Sequence, residues 1–409
     1  GLLTYACSSI EKGILMIRSS DRILTTHVGS LPRPDELRLM LVAKDEGQEY
    51  DAAKLKSLGA SAVNDIVKQQ RAAGLDIIND GEESKRSWST YARERLGGHE
   101  QRPRPAGYRS SPIYGRDNAE FSEYFELFGP GRGPNTRGGI TSSGAIPRSD
   151  TCVAPLTYVG QEVLQADLDN LTAALQGAEA SEAFMSAVSP GTIEHWLRNE
   201  YYKTPEEYLY AIADAMRVEY EAIVNAGFVL QIDDPDLADA WQMHPELDVA
   251  QYQRHAQLRI EALNHALRNI APERVRLHVC WGSYHGPHKY DIEMREIIDV
   301  VLMTRAQGFA VEAANPRHAV DWRAWQDVKL PDGIVLIPGV VGHDSDFIET
   351  PELVADRIEK YASIAGRENV IGGTDCGLGP RVGHPKIAWA KFESLVEGAR
   401  LATKHLWRR

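Results

Sequence analysis

Val275-Arg276-Leu277-His278-Val279-Cys280-Trp281 reads as a short strand lying between two stretches of helical period, residues 245–269 and 290–307. Runs of the same kind recur at 23–30, 76–82, 183–190, 228–234, 309–314, 334–341 and 369–376, and further helix-like segments lie at 204–225, 351–365 and 385–405. Two of these open with a cap residue before a proline at the first helical position, Thr204-Pro205-Glu206-Glu207 and Thr350-Pro351-Glu352. Eight strands, each followed by a helix, predict an α/β fold closed into a parallel (β/α)8 TIM barrel. A doubly wound open sheet is the competing arrangement, but no Gly-x-Gly-x-x-Gly turn follows the first strand. No internal repeat and no heptad pattern is present.

The chain has 409 residues, 43% of them hydrophobic, enough to fill one large barrel. Its 58 acidic and 45 basic residues give a formal net charge of −13. That balance argues against a nucleic-acid partner, which needs clustered Lys and Arg. No apolar run approaches the roughly 20 residues of a membrane span, and the early run 13–17 falls short of the about 7–15 residues of a signal-peptide core. The expectation is a soluble cytoplasmic protein with neither membrane nor nucleic-acid partners. Residues 1–20 are set apart as an N-terminal arm or non-native remnant, leaving 21–409 as one catalytic barrel. The cysteines, Cys7, Cys152, Cys280 and Cys376, are too few for a disulfide framework.

One region breaks the alternation. Residues 97–159 are rich in Gly, Pro, Ser and Arg, including Arg102, Arg104, Arg109, Arg116, Arg132, Arg137 and Arg148. They read as an insertion after the second βα unit, either a solvated excursion or a lid whose arginines meet an anionic substrate group. Residues 152–159 are expected to form an extra strand or hairpin outside the barrel count.

On a strand, residues two apart share a face, so His278 and Cys280 project together. Cys376, in Gly373-Thr374-Asp375-Cys376-Gly377, offers a second sulfur, and Glu312, in Phe309-Ala310-Val311-Glu312, a carboxylate. All four fall at the C-terminal ends of strands, where barrel enzymes place their catalytic groups. Zinc takes imidazole, thiolate and carboxylate ligands in fours. A buried His beside a buried Cys is the plainer reading of His278-Val279-Cys280 alone. Zinc would hold a coordinated thiol as its anion, a nucleophile without a general base. Asp80-Gly81-Glu82 and Asp233-Asp234-Pro235 add strand-end carboxylates suited to an ammonium group, or simply to solvent and helix caps.

Together with Val28-Gly29-Ser30, Ser189-Pro190-Gly191-Thr192 and Gln231-Ile232-Asp233-Asp234-Pro235, these motifs resemble the catalytic domain of cobalamin-independent methionine synthases and their single-barrel relatives, including epoxyalkane:coenzyme M transferase. The resemblance runs from about residue 23 to 407 and implies a uroporphyrinogen decarboxylase/methionine synthase-like barrel without the amino-terminal half of the full-length enzymes. By resemblance, His278, Cys280, Glu312 and Cys376 are zinc ligands; Ser30, Glu82 and Asp233 hold the amino-acid part of homocysteine; and Trp196 falls where folate is stacked, or is core packing. His343, in Pro338-Gly339-Val340-Val341-Gly342-His343, stands one residue from the family's general acid, and His27 is a second candidate for that role. The implied activity is zinc-dependent methyl transfer from methyl-folate to a homocysteine-type thiol, a step in methionine biosynthesis. The alternatives are thiol addition to an epoxide or other electrophile at the same zinc, or a barrel with structural zinc acting as a binding protein. The partners expected are thus a small-molecule thiol and an alkyl donor.

Overall fold

A computed structural model describes residues 16–105, 115–128, 148–282, 286–379 and 381–407. Eleven strands are defined: β1 (Leu24–Thr25), β2 (Ile77–Ile78), β3 (Leu96–Pro103), β4 (Arg148–Tyr158), β5 (Glu182–Val188), β6 (Arg198–Asn199), β7 (Val229–Asp233), β8 (Val275–Val279), β9 (Gly308–Glu312), β10 (Val335–Val341) and β11 (Ile371–Thr374). Eight of them form one parallel sheet in the order β1-β11-β10-β9-β8-β7-β5-β2, which is the expected barrel. β1 and β2, its two shortest strands, meet at the seam. There the Asp76 N–H donates to the Thr25 carbonyl (3.2 Å) and the Thr26 hydroxyl to the Ile77 carbonyl (3.2 Å).

The anticipated caps are present. Thr204 accepts from Glu207 N at the start of helix Pro205–Asn225, and Thr350 from Leu353 N at the start of helix Pro351–Ala365. Apolar faces of the helices pack against the outside of the strands in one continuous core. Inside the barrel, Leu24, Ile77, Phe184, Val229, Ala310, Val335, Ile337 and Ile371 fill the floor with Met16. Residues 16–20, which the sequence sets with the arm, thus belong to the barrel: Met16 N donates to the Glu273 carbonyl, and the Ser19 hydroxyl to the Val370 carbonyl. Residues 1–15, Cys7 among them, lie outside the described residues.

The insertion is spliced between β2 and its helix Gln161–Leu175, rather than following a completed second unit. That helix carries the crossover to β5, so the excursion leaves from the strand end. β3 and β4 pair antiparallel and β6 joins β4 in parallel, which gives the expected extra strand a sheet of its own. The Tyr158 hydroxyl anchors β4 to Glu219 of helix Pro205–Asn225 (2.7 Å). Helix Arg116–Phe128, also in the insertion, docks above β7. The Arg116 guanidinium lies 3.4 Å from the Trp241 ring centroid and donates to the carbonyls of Trp241, His244 and Leu247, at the end of helix Asp236–Met243. Arg102 pairs with Glu100 and Glu200. These two arginines are engaged within the protein; Arg109, Arg132, Arg137 and the Arg148 side chain lie outside the described residues.

At Gly339 the chain of β10 passes so close to β11 that an added Cβ would lie 2.4 Å from the Asp375 Cα. Gly339→Ala is therefore expected to destabilise the protein by about 1–3 kcal/mol, as overpacking of a filled interior does. Urea unfolding monitored by circular dichroism measures it.

Candidate metal and substrate site

Three side chains converge at the C-terminal mouth of the barrel. One ligand atom each from His278, Cys280 and Cys376 lies within 4.8 Å of the other two. His278 projects from β8 and Cys280 follows one residue beyond it, so the two-residue strand period carries both sulfur and imidazole inward. Cys376 follows the end of β11. His278 and Cys280 are buried, whereas Cys376 is partly exposed.

Neither ring nitrogen of His278 meets a nitrogen or oxygen partner, although both atoms are buried; the polar group beside the ring is the Cys376 sulfur. An imidazole left in that state costs desolvation energy, and a metal ion would recover it. The Cys280 thiol is pushed well above its ordinary value by its hydrogen bond to Cys376, by burial, and by the charges of Cys376 and Glu312. Cys376, receiving that bond, is held well below its own. Imidazole and two sulfurs form a donor set of the soft, tetrahedral kind that suits zinc.

Glu312, the last residue of β9, lies beside this set but outside it. Its Oε1 accepts from the Trp281 N–H (3.0 Å) and its Oε2 from Asn315 Nδ2 (2.9 Å). The carboxylate of Asp375 accepts from three backbone N–H groups, Ala313 (2.7 Å), Ala314 (3.0 Å) and Asn315 (2.6 Å). It ties the end of β11 to the end of β9, and so fixes where Cys376 stands relative to Glu312. In the sequence, the one signal for Asp375 is its place next to Cys376.

Ser30, Glu82 and Asp233, expected from the sequence to hold the acceptor, lie at the same mouth. Glu82 accepts from the Ser30 hydroxyl at Oε2 (2.9 Å) and from the Ser186 hydroxyl at Oε1 (2.7 Å). Its backbone is left-handed, φ 57°, a conformation that a non-glycine residue adopts at some cost. The turn that imposes it is braced by Asn79 Oδ1 accepting from Gly81 N and Asp80 Oδ1 from Glu82 N. Asp233 is the ladder partner of His278, and burial is the largest cause pushing its carboxyl up to about 7. Sequence reasoning missed Ser186, which carries no motif.

The remaining candidates separate. His343 is buried beyond the end of β10, within electrostatic reach of Cys376, and neither ring nitrogen finds a hydrogen-bond partner among the described residues. His27 instead donates from Nε2 to Gln70 Oε1 (2.7 Å) and sits edge-on to Phe184 and Phe392. Burial drives its pKa down to about 3, so it stays neutral with its proton engaged. Trp196 ends the helix Pro190–Trp196, half-buried against the core, and no contact brings it to the metal group.

Behind Cys280, Trp281 stacks on His318 with ring centroids 3.8 Å apart. His318 is held by Asp291 (3.0 Å) and Asp321 (2.9 Å), and Asp291 also takes His288 (2.8 Å). Burial alone would lower the pKa of His318, but these carboxylates raise it to about 9. For a raised histidine the stabilisation is full below about 6.5, its unfolded value, and is lost as pH rises through about 9. His318→Gln should therefore cost about 3 kcal/mol below pH 6.5 and progressively less towards pH 9, as read from urea unfolding at each pH.

Comparison with known proteins agrees with this architecture. The family model described as the cobalamin-independent synthase catalytic domain matches residues 152–400. The methionine synthase of Saccharolobus solfataricus is 25% identical over 389 residues, covering 94% of this chain and 96% of that protein. The one from Saccharolobus islandicus is 26% identical over 386 residues, with 94% and 96% covered. Among solved structures, a B12-independent methionine synthase from Shewanella sp. W3-18-1 in complex with selenomethionine superposes with a TM-score of 0.66. It shares 18% identity and covers 95% of this chain and 100% of that one, a likeness of fold.

Proposed function

The chain belongs to the cobalamin-independent methionine synthase catalytic-domain family, and from that premise we propose that it methylates the sulfur of a homocysteine-type thiol with zinc as cofactor and methyl-folate as donor. The observation that carries this reading is a buried imidazole and two sulfurs, their ligand atoms within 4.8 Å, at the same barrel mouth as the Ser30–Glu82–Ser186 group and Asp233. His278, Cys280 and Cys376 would hold the zinc, and Glu312 would be the fourth ligand, its carboxylate oriented by Trp281 N–H and Asn315 Nδ2. Zinc bound there supplies a nucleophile at neutral pH by stabilising the substrate sulfur as its anion.

The protein's own groups do the rest. Glu82 and Asp233 present carboxylates to the ammonium of the acceptor, and Ser30 and Ser186 fix the Glu82 carboxylate by donating to its two oxygens. In the transfer a carbon–nitrogen bond of the donor breaks as a sulfur–carbon bond forms, and the departing nitrogen takes a proton. His343 is the group we assign to that proton, because its ring nitrogens are uncommitted and it stands near Cys376. We place the reaction in a reducing cytoplasm, which keeps the sulfurs of Cys280 and Cys376 available to a metal as thiols. Among the described residues no helix is long and apolar enough to cross a membrane.

Purified protein is expected to carry about one zinc per chain, the complement of one four-ligand site. Cys280→Ser and Cys376→Ser should lose most of it; full zinc in both variants refutes the site. The zinc protein should form methionine from homocysteine and methyl-folate. Thiol binding without methionine formation would instead direct attention to another electrophile at the same sulfur. His343→Gln should keep its zinc and lower kcat by about 10²-fold, the range for loss of a general acid; unchanged kcat would remove His343 from the mechanism.

A further inference from the structure

Below the metal group, the barrel interior holds a charged residue that the mechanism above does not use. Arg276 is 2% exposed, and its guanidinium stacks 3.5 Å from the Phe184 ring centroid. Its Nε donates to Gln231 Oε1 (2.8 Å), one terminal nitrogen to the Thr26 hydroxyl (3.1 Å), and the other to the His27 carbonyl (2.6 Å). Space for it exists because residue 308 is glycine: a Cβ there would lie 2.8 Å from the Arg276 Cβ. Gln231 in turn donates from Nε2 to Asp233 Oδ1 (2.7 Å) and to the Val28 carbonyl.

The strand register explains the order. Gln231 pairs with Arg276 and, two residues on, Asp233 pairs with His278. The lower layer and the reacting layer therefore share a face, one strand period apart. A side-chain amide can present either its oxygen or its nitrogen. Arg276, which has donors only, forces the oxygen of Gln231 downward and so commits its N–H group to Asp233. Because this N–H binds Oδ1, the freedom of the Asp233 carboxylate to rotate is removed and Oδ2 is left for a ligand.

We propose that Arg276 and Gln231 are positioning residues, a buried relay that fixes the Asp233 carboxylate to receive the ammonium of an amino-acid thiol. The inference rests on the assignment of Asp233 made above. It adds that selectivity for an α-amino thiol is set from beneath the site, by two residues that never touch the substrate.

The test is calorimetric binding of two thiols to the zinc-loaded protein: homocysteine, and 4-mercaptobutyrate, which keeps the chain and carboxylate but lacks the ammonium. The unaltered protein should prefer homocysteine. Gln231→Met removes the amide at similar length and should weaken homocysteine about tenfold, the cost of a hydrogen bond to a charged group, while leaving 4-mercaptobutyrate and zinc content unchanged. Arg276→Gln can present either side of its amide to Gln231 and so no longer commits the Gln231 N–H to Asp233; it should act in the same direction and serves if the methionine variant does not fold. Equal weakening of both thiols would show a merely structural role. Retained preference for homocysteine in both variants would overturn the relay while sparing Asp233. Lack of preference in the unaltered protein would instead overturn the Asp233 assignment, and the relay with it.

Discussion

The site depends on one buried carboxylate. Asp375 accepts three backbone N–H groups from the segment after β9 and lies immediately before Cys376. A sulfur on a strand-end loop would otherwise be free to move by more than a zinc–sulfur bond tolerates, since metal sites need ligands held to within a few tenths of an ångström. Gly339 allows the close passage that makes this clamp possible. The Asp375 N–H, donating to the Val341 carbonyl (2.9 Å), ties the same residue to β10. Three neighbouring strand ends are thereby locked together, and the cysteine from the last strand meets the histidine and cysteine of β8.

The two functional groups at the mouth share that frame but are organised differently. The His278–Cys280–Cys376 triad relies on the period of a strand and on the Asp375 clamp. The Glu82 and Asp233 carboxylates rely on hydroxyl and amide donors: Ser30 and Ser186 on Glu82, Gln231 on Asp233. Glu82 thus takes its donors from beyond β1 and from β5, whereas Asp233 takes its donor from its own strand, β7. The left-handed backbone at Glu82 is a cost accepted at this place, where the turn after β2 must aim a carboxylate back over the barrel.

Much of this was legible in the sequence because it follows from periodicity. The barrel strands announced themselves as short runs between helical stretches, and His278-Val279-Cys280 is a strand-period pair whatever the fold. What could not be read was direction at the seam. β1 and β2 are two residues long, too short for alternation to say which way His27 points, and the ring lies against Gln70 and Phe392. Arg276 and Gln231 were equally hidden, since a polar residue in an apolar strand gives no sign of whether it faces water or an interior network. The splice point of the insertion was misplaced because helix Gln161–Leu175 belongs to β2, although some eighty residues separate the two. Glu312 is placed among the ligands by its strand-end position and by resemblance; its bonds to Trp281 and Asn315 are matters of geometry that the sequence does not reveal.

The proposed chemistry requires a metal ion that a thiol can reach. Zinc-edge X-ray absorption of the purified protein, with and without added homocysteine, measures this directly. One nitrogen and two sulfur neighbours at rest, rising to three sulfurs when the thiol is added, is the predicted result. A shell that contains fewer than two sulfurs, or one that the thiol leaves unchanged, would contradict it.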